Sequence, residues 1–273
     1  MRKILAITDI HMRSQGRTII GLDPQAQFTK ALAHATKTHP DAEHIILMGD
    51  LTNSGHPEEF QMVQDTISNS PIPVTLMLGN HDRRDNFSTV FPNIPLTPSG
   101  HLQTRIDLGD DVLLCLDTLD GPPYPKYHHV GHLCADRLDW VREQLKTCAN
   151  KRVSIFMHHP PHDVGFPGMD CIKLKNPDDL FTITTEHPEI RHIFAGHVHR
   201  TISGHTHGMG FSMFKSTCHQ MPMALDSNDP SLSVAEPAAY GIVMFNQTSI
   251  IAHTEDFELA IPSSGPALDA MPD

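Results

Sequence analysis

Lys3-Ile4-Leu5-Ala6-Ile7-Thr8-Asp9-Ile10-His11 passes from an apolar run straight into an acid and, two positions on, a histidine. The run is broken at Asp9, too early for a signal peptide or a membrane span, and reads as a strand covered on both faces. The same order recurs along the chain. Apolar residues 44–48 are followed by Gly49-Asp50, residues 74–78 by Gly79-Asn80-His81-Asp82, residues 153–157 by His158-His159-Pro160-Pro161, and residues 190–195 by Gly196-His197-Val198-His199. Asp or Asn at one strand end is an ordinary turn former. Five strands ending in Asp, Asn or His, in order, are a site, because open α/β sheets bind ligands at the carboxyl edge of their strands.

Around these runs the pattern alternates. A further strand is expected at 112–116. Asp23-Pro24 is a helix start, with Phe28, Ala31, Leu32 and Ala35 on one face. A second helix begins near Pro57, where Glu58 and Glu59 suit the positive end of the dipole. A third carries Leu138, Val141 and Leu145, and a fourth starts at Asn176-Pro177. After His199 strands alone are expected, at 201–206, 210–216, 240–245 and 249–253. The fold class is therefore α/β, with one domain over 1–216 and 238–261. Residues 217–237 read as an excursion from the sheet, suited to a cap or an oligomer contact, and 262–273 as a flexible tail.

Lys+Arg number 20 against Asp+Glu 32, a net charge of -12, which disfavours a long nucleic acid or an anionic membrane as partner. Cys115, Cys134, Cys148, Cys171 and Cys218 are scattered, forming neither a disulfide framework nor a zinc knuckle. A soluble, cytoplasmic protein is expected. The 21 histidines outnumber the lysines and arginines together. Their number explains little; their placement at strand ends is the signal.

Asp, Asn and His donors without cysteine suit divalent Mn, Fe, Co or Zn. Asp9-x-His11 and His197-x-His199 each turn two side chains to one side of a strand end. A bridging carboxylate lets two cations sit roughly 3.5–4 Å apart, each near one phosphate oxygen. The glycines before Asp50, Asn80 and His197 are expected to let the backbone turn sharply without a β-carbon in the way.

These five motifs resemble those of the calcineurin-like metallophosphoesterases, within them the bacterial cyclic-nucleotide phosphodiesterase branch, and most of all its glycerophosphodiesterases. Weaker similarity continues through Asn53 and through Thr217-Cys218-His219-Gln220-Met221-Pro222. The resemblance implies a four-layer α/β/β/α sandwich of two mixed sheets flanked by helices. It implies one metal held by Asp9, His11, Asp50 and His199 and another by Asp50, Asn80, His158 and His197, with Asp50 bridging. A hydroxide held by the metals would attack phosphorus in line. His81 would face the phosphate, steadying charge or protonating the leaving alkoxide. Asn80, His81, Asn53 and His219 are the expected substrate contacts.

Protein phosphatases of this superfamily carry Gly-Asp-x-x-Asp-Arg-Gly, whose arginine helps hold a phosphomonoester dianion. Here the stretch is Gly49-Asp50-Leu51-Thr52-Asn53-Ser54-Gly55. Without that arginine a diester monoanion suits the site better. The expected function is hydrolysis of small phosphodiesters of the glycerophosphodiester kind, with 3′,5′-cyclic nucleotides as the alternative. A non-catalytic scaffold is a remote one, since every ligand is present. A homo-oligomer is expected from the Met/Pro/Ala content between Met221 and Ala239. Outside the motifs, His159 reads as orienting its neighbour or packing, and Asp82 as bracing His81 or its turn. Arg83 and Arg84 read as solvated. His128, His129, His132, His205 and His207 read as surface or packing residues, the loop of the first three being one that could border the site.

Overall fold

In the computed structural model, which describes residues 1–126 and 129–259, each expected apolar run is a strand. The order is β1 (Arg2–Ile7), α1 (Pro24–Thr38), β2 (His44–Met48), α2 (Pro57–Ile67), β3 (Val74–Met77), α3 (Arg84–Val90), β4 (Thr104–Leu108) and β5 (Asp111–Cys115). It continues with α4 (Ala135–Leu145), β6 (Arg152–Met157), α5 (Pro167–Asp170), α6 (Pro177–Glu186) and β7 (Ile190–Ala195). Four strands close the order: β8 (Ile202–Thr206), β9 (Met209–Met213), β10 (Tyr240–Phe245) and β11 (Ile250–Glu255). The expected flexible tail, 262–273, and His128 lie outside the described residues.

Two mixed sheets result, ordered β11-β10-β1-β2-β3 and β4-β5-β6-β7-β9-β8. β1, β2 and β3 run parallel in the first, with β10 antiparallel to both its neighbours, and β5, β6, β7 and β9 run parallel in the second, with β4 and β8 antiparallel at its edges. The continuous apolar runs have a direct cause. Along β1, Leu5 and Ile7 pack outward against α1 and α2 residues such as Phe28 and Phe60, while Ile4 and Ala6 pack inward against Phe156, Phe194 and Phe214. β5 divides likewise, Val112 and Leu114 facing Leu138 and Val141 of α4, and Leu113 and Cys115 facing the other sheet. Three apolar layers thus separate four layers of secondary structure, α/β/β/α. Helix α1 starts as expected: Asp23 Oδ1 accepts from the backbone N–H groups of Gln25 and Ala26 at 3.0 and 3.2 Å.

Three elements escaped the sequence reading. β4 is an edge strand whose Arg105 and Asp107 pair with each other at 2.8 Å, so no apolar run marks it. α3 and α5 are short, at 7 and 4 residues. Between β9 and β10 the chain leaves the sheet, and residues 217–237 are closed on themselves by an antiparallel bridge between Gln220 and Val234.

Candidate metal centre

The strand ends converge. Asp9 and His11 follow β1, Asp50 follows β2, Asn80 and His81 follow β3, His158 follows β6, and His197 and His199 follow β7. All are buried except His81, which is half-buried. His11 Nε2 lies 3.5 Å from Asp50 Oδ2 and 3.1 Å from His199 Nε2. His199 Nε2 lies 3.3 Å from Asp9 Oδ1. On its other side, Asp50 Oδ2 is 3.3 Å from His158 Nε2, which is also 3.3 Å from Asn80 Oδ1. Asp50 therefore stands between two sets of donors.

Hydrogen bonds decide which ring atoms face inward. His158 Nδ1 is 3.0 Å from the Met48 carbonyl, and His199 Nδ1 is 2.9 Å from the His219 carbonyl. A carbonyl can only accept, so each Nδ1 carries a proton and, in the neutral ring, each Nε2 presents a lone pair. The His158 lone pair then confronts Asn80 Oδ1, itself an acceptor, and that of His199 confronts a carboxylate. Such pairs need a proton or a cation between them. The buried His11 Nδ1 and His197 Nε2 have no hydrogen-bond partner among the described residues. Among those residues, the basic groups within ion-pair distance of Asp9 and Asp50 are all histidines. Two buried carboxylates with no lysine or arginine, ringed by imidazoles, fit divalent cations. Donor atoms of Asp9, Asp50 and His158, and likewise of His11, Asp50 and His81, lie within 4.8 Å of one another.

The charges follow. Burial opposes a proton on His158, but Asp50 and Asp9 outweigh it and raise the ring to about 9. His199 also moves up, burial opposing and Asp9 prevailing. For Asp50, burial opposes the charge, but His158 and His81 hold it well below the usual carboxylate range. Burial, with His81 adding to it, drives His11 far down; burial and His159 do the same to His197. His219, buried against His199, falls to about 3.

The backbone is bent to make this edge. Asp9 (φ 54°), His11 (49°), Asp50 (47°), His197 (70°) and His199 (53°) all adopt the left-handed region. A non-glycine residue pays roughly 1–3 kcal/mol there, a cost that clusters at functional sites. At all three glycines a Cβ would stand in the way, as expected. Gly49 has φ 94° and does make a turn. A Cβ on Gly79 would overlap the backbone N and Oδ1 of Asp50 and come within 2.7 Å of His158 Nε2. One on Gly196 would overlap Thr8 Oγ1 and lie 2.9 Å from Asp9 Oδ2. Both glycines leave this room where the chain turns: Gly79 O accepts from the Asp82 N–H at 3.3 Å and Gly196 O from the Val198 N–H at 2.8 Å.

Neighbouring residues hold the ligand candidates in place. Asp82 accepts from the backbone N–H groups of Leu51 (3.1 Å), Thr52 (2.9 Å) and Gly79 (2.9 Å) and from Thr52 Oγ1 (2.7 Å), tying the ends of β2 and β3 together. Thr8 Oγ1 donates to Asp9 Oδ2 at 2.7 Å, and the His197 N–H donates to the same carboxylate at 3.1 Å. The His81 N–H donates to Asp50 Oδ1 at 2.8 Å, and its Nδ1–H to the Asn53 carbonyl at 2.9 Å. His159 packs edge-on against His158, with Nδ1 2.8 Å from Thr118 Oγ1.

A cavity of about 290 Å³ opens over the cluster. His11, Asp50, Asn80, His81, His197, His199 and His219 form its polar floor, with Asn53 at the margin. Met169, Ile172, Met221 and Leu232 form an apolar wall; Met221 and Leu232 come from the 217–237 excursion, whereas nothing in the sequence reading placed Met169 and Ile172 here. His129 also lines the cavity, its Nδ1 3.0 Å from Asn80 Nδ2, so this residue is neither a surface nor a mere packing histidine. Arg84 is not solvated: it is buried and ion-paired with buried Asp117 at 2.8 Å, while Arg83 lies over the Tyr124 ring at 4.0 Å. His205 and His207 are exposed, as expected.

A buried cluster of Asp, Asn and His whose donor atoms could hold metal, set at the carboxyl ends of two packed mixed sheets, is the arrangement of a metallohydrolase. Residues 2–201 match the calcineurin-like phosphoesterases, and the chain belongs to that family, whose members use a dinuclear metal centre. It is 33% identical over 257 residues to a probable cyclic nucleotide phosphodiesterase of Rhodopseudomonas palustris, covering 93% of this chain and 92% of that one. It is 27% identical to a glycerophosphodiester phosphodiesterase of Enterobacter lignolyticus, covering 85% and 83%. A dimetal phosphatase from Danio rerio shares the fold at a TM-score of 0.69 and 13% identity, covering 93% of this chain and 95% of that one.

Proposed function

We propose that the chain is a dinuclear-metal hydrolase of small phosphodiesters. The observation that carries this reading is the pair of His158 and His199 Nε2 atoms, each locked by a backbone carbonyl into the lone-pair-inward tautomer and each facing another acceptor. Asp9, His11, Asp50 and His199 would hold one cation, and Asp50, Asn80, His158 and His197 the other. When bound, two cations supply Lewis acidity and lower the pKa of water toward neutrality. His81 has its Nδ1–H engaged by Asn53, so its Nε2 is the atom left for substrate, and when protonated it can donate to the leaving alkoxide. Asn53 and His219, at the cavity margin and floor, are the further substrate contacts.

Glycerophosphodiesters and 3′,5′-cyclic nucleotides share this chemistry, and similarity to the Enterobacter protein supports the former. The wall of Met169, Ile172, Met221 and Leu232 favours the latter: a nucleobase can lie against it, and among the described residues Asp50 is the single carboxylate lining the cavity that could meet a cationic head group. The five unpaired cysteines support a cytoplasmic location, and no helix among the described residues is long and apolar enough to cross a membrane. Met223 and Leu225, 63% and 55% exposed on 217–237, support reading that excursion as a cap through which copies associate. A monomeric mass by light scattering at micromolar concentration would remove that part.

The test is a substrate panel with Mn, Co, Zn or Fe: bis-p-nitrophenyl phosphate, p-nitrophenyl phosphate, cyclic AMP and glycerophosphoethanolamine. A higher kcat/KM on the monoester than on its diester counterpart sinks the diester reading. Asp50→Ala should lose both metals, whereas His81→Ala should keep them and turn over slowly.

A further inference from the structure

We propose that Gln220 is a positioning residue for one of the two cation sites, that of Asp9, His11, Asp50 and His199; this rests on reading the strand-end edge as a two-cation centre. Its side chain is fully buried and closes the turn through which the chain leaves the second sheet after β9. Gln220 Oε1 accepts from the Ser216 N–H at 3.0 Å, and Gln220 Nε2 donates to the Ser216 carbonyl at 2.8 Å. An N–H must meet an acceptor and a carbonyl a donor, so the amide has one orientation here. A carboxylate or a thioether of similar size cannot make both bonds.

The closed turn touches the metal edge at two points. The buried Ser216 hydroxyl accepts from the Cys218 N–H at 2.8 Å and donates to the Asp9 carbonyl at 2.7 Å. Asp9 has φ 54°, so this bond holds a backbone that a non-glycine residue adopts only at a cost. Further along the turn, the His219 carbonyl accepts from His199 Nδ1–H at 2.9 Å, the bond that turns Nε2 toward Asp9. In the other donor set His158 is oriented from β2, by the Met48 carbonyl. The turn therefore bears on one set, and its loss should be selective. The Gln220 backbone also pairs with that of Val234 at 3.0 and 2.8 Å. One residue thus ties the excursion that carries Met221 and Leu232 to the donors beneath it.

Co²⁺ titration of the full-length, EDTA-stripped protein, followed by absorption, counts the two sites without any substrate. A His158→Ala background leaves the Asp9 site to be read alone, and a His11→Ala background leaves the other. Gln220→Met keeps the size and loses both bonds to Ser216. Gln220→Glu keeps the acceptor and sets an oxygen against the Ser216 carbonyl. Ser216→Ala, the smallest change, frees the Asp9 carbonyl and keeps the test open if the Gln220 variants do not fold. With His158→Ala, each is expected to weaken Co²⁺ about threefold to tenfold, the worth of about one hydrogen bond; with His11→Ala, each should stay within about twofold. Glu236→Ala cuts the ion pair with Arg200 at the exit of the excursion without touching the turn, and should alter neither. Equal weakening in both backgrounds, or no weakening in either, overturns the proposal, as does the same loss from Glu236→Ala. Wild-type protein that binds fewer than two Co²⁺ overturns instead the reading beneath it.

Discussion

In the metal-free protein protons stand where cations belong, and this makes stability fall as the solution becomes alkaline. His158 titrates near 6.5 when unfolded and at about 9 when folded, because Asp50 and Asp9 outweigh its burial. A group raised on folding contributes stability that is complete below the unfolded value and is lost as pH rises through the folded value. A rise from 6.5 to about 9 at 1.36 kcal/mol per unit amounts to about 3 kcal/mol. His199, also raised, acts in the same direction. In the window from pH 7.5 to 9.5, Asp82, which burial and the Asp50 charge raise to about 7, has largely finished titrating. Cys115 and Cys218, raised by burial from 9.0 to about 12, add a loss of the same sign toward pH 9.5, so the difference between the wild type and Asp50→Asn is what isolates the histidines. Urea unfolding of EDTA-treated protein across this window should show the His158 contribution to ΔG falling by about 2 kcal/mol, the part of the loss that lies within it. Asp50→Asn, which removes the leading raising charge, should flatten most of the slope. Protein saturated with Mn²⁺ should not show it, since metal binding expels the same proton. Metal-free stability that is level or rising between pH 7.5 and 9.5 would refute the argument.

Gly79→Ala drives a methyl into Asp50 and to within 2.7 Å of His158 Nε2, so it should cost about 1–3 kcal/mol and lower metal occupancy, read by thermal melts and elemental analysis. Asp82→Ala strands three backbone N–H groups and a hydroxyl at the buried junction of β2 and β3. A loss of about 3 kcal/mol or more in unfolding free energy is expected, with Asp82→Asn milder. Arg84→Ala leaves buried Asp117 short of its principal counter-charge, for about 3–5 kcal/mol by denaturant titration. Dialysis against EDTA should abolish diester hydrolysis, and Mn²⁺ or Co²⁺ should restore it; undiminished activity after complete stripping would end the dinuclear reading.

Much of this molecule is legible in its local patterns. Strands such as β1, β2 and β5 carry unbroken apolar runs, at 4–7, 45–48 and 112–115, because both faces meet other layers there, and that is a property of consecutive residues. The Asp, Asn and His at their ends are equally local: a parallel strand delivers whatever follows it to one edge. Helix α1 announces itself through Asp23 and the spacing of Phe28, Ala31, Leu32 and Ala35. What local pattern could not carry is which groups meet across the fold. Nothing near Arg84 marks it as buried, because its partner Asp117 is 33 residues away. His129 looks like one more loop histidine until the chain returns it to Asn80, 49 residues distant in sequence. Gly79 and Gly196 read as turns, but the groups their missing side chains leave room for, Asp50 and Asp9, arrive from other strands. Residue types and their order along the chain are enough to state the chemistry available at the edge. The tautomers, the raised His158, the apolar wall and the meeting of His129 with Asn80 depend on distances between segments that only packing of the two sheets sets.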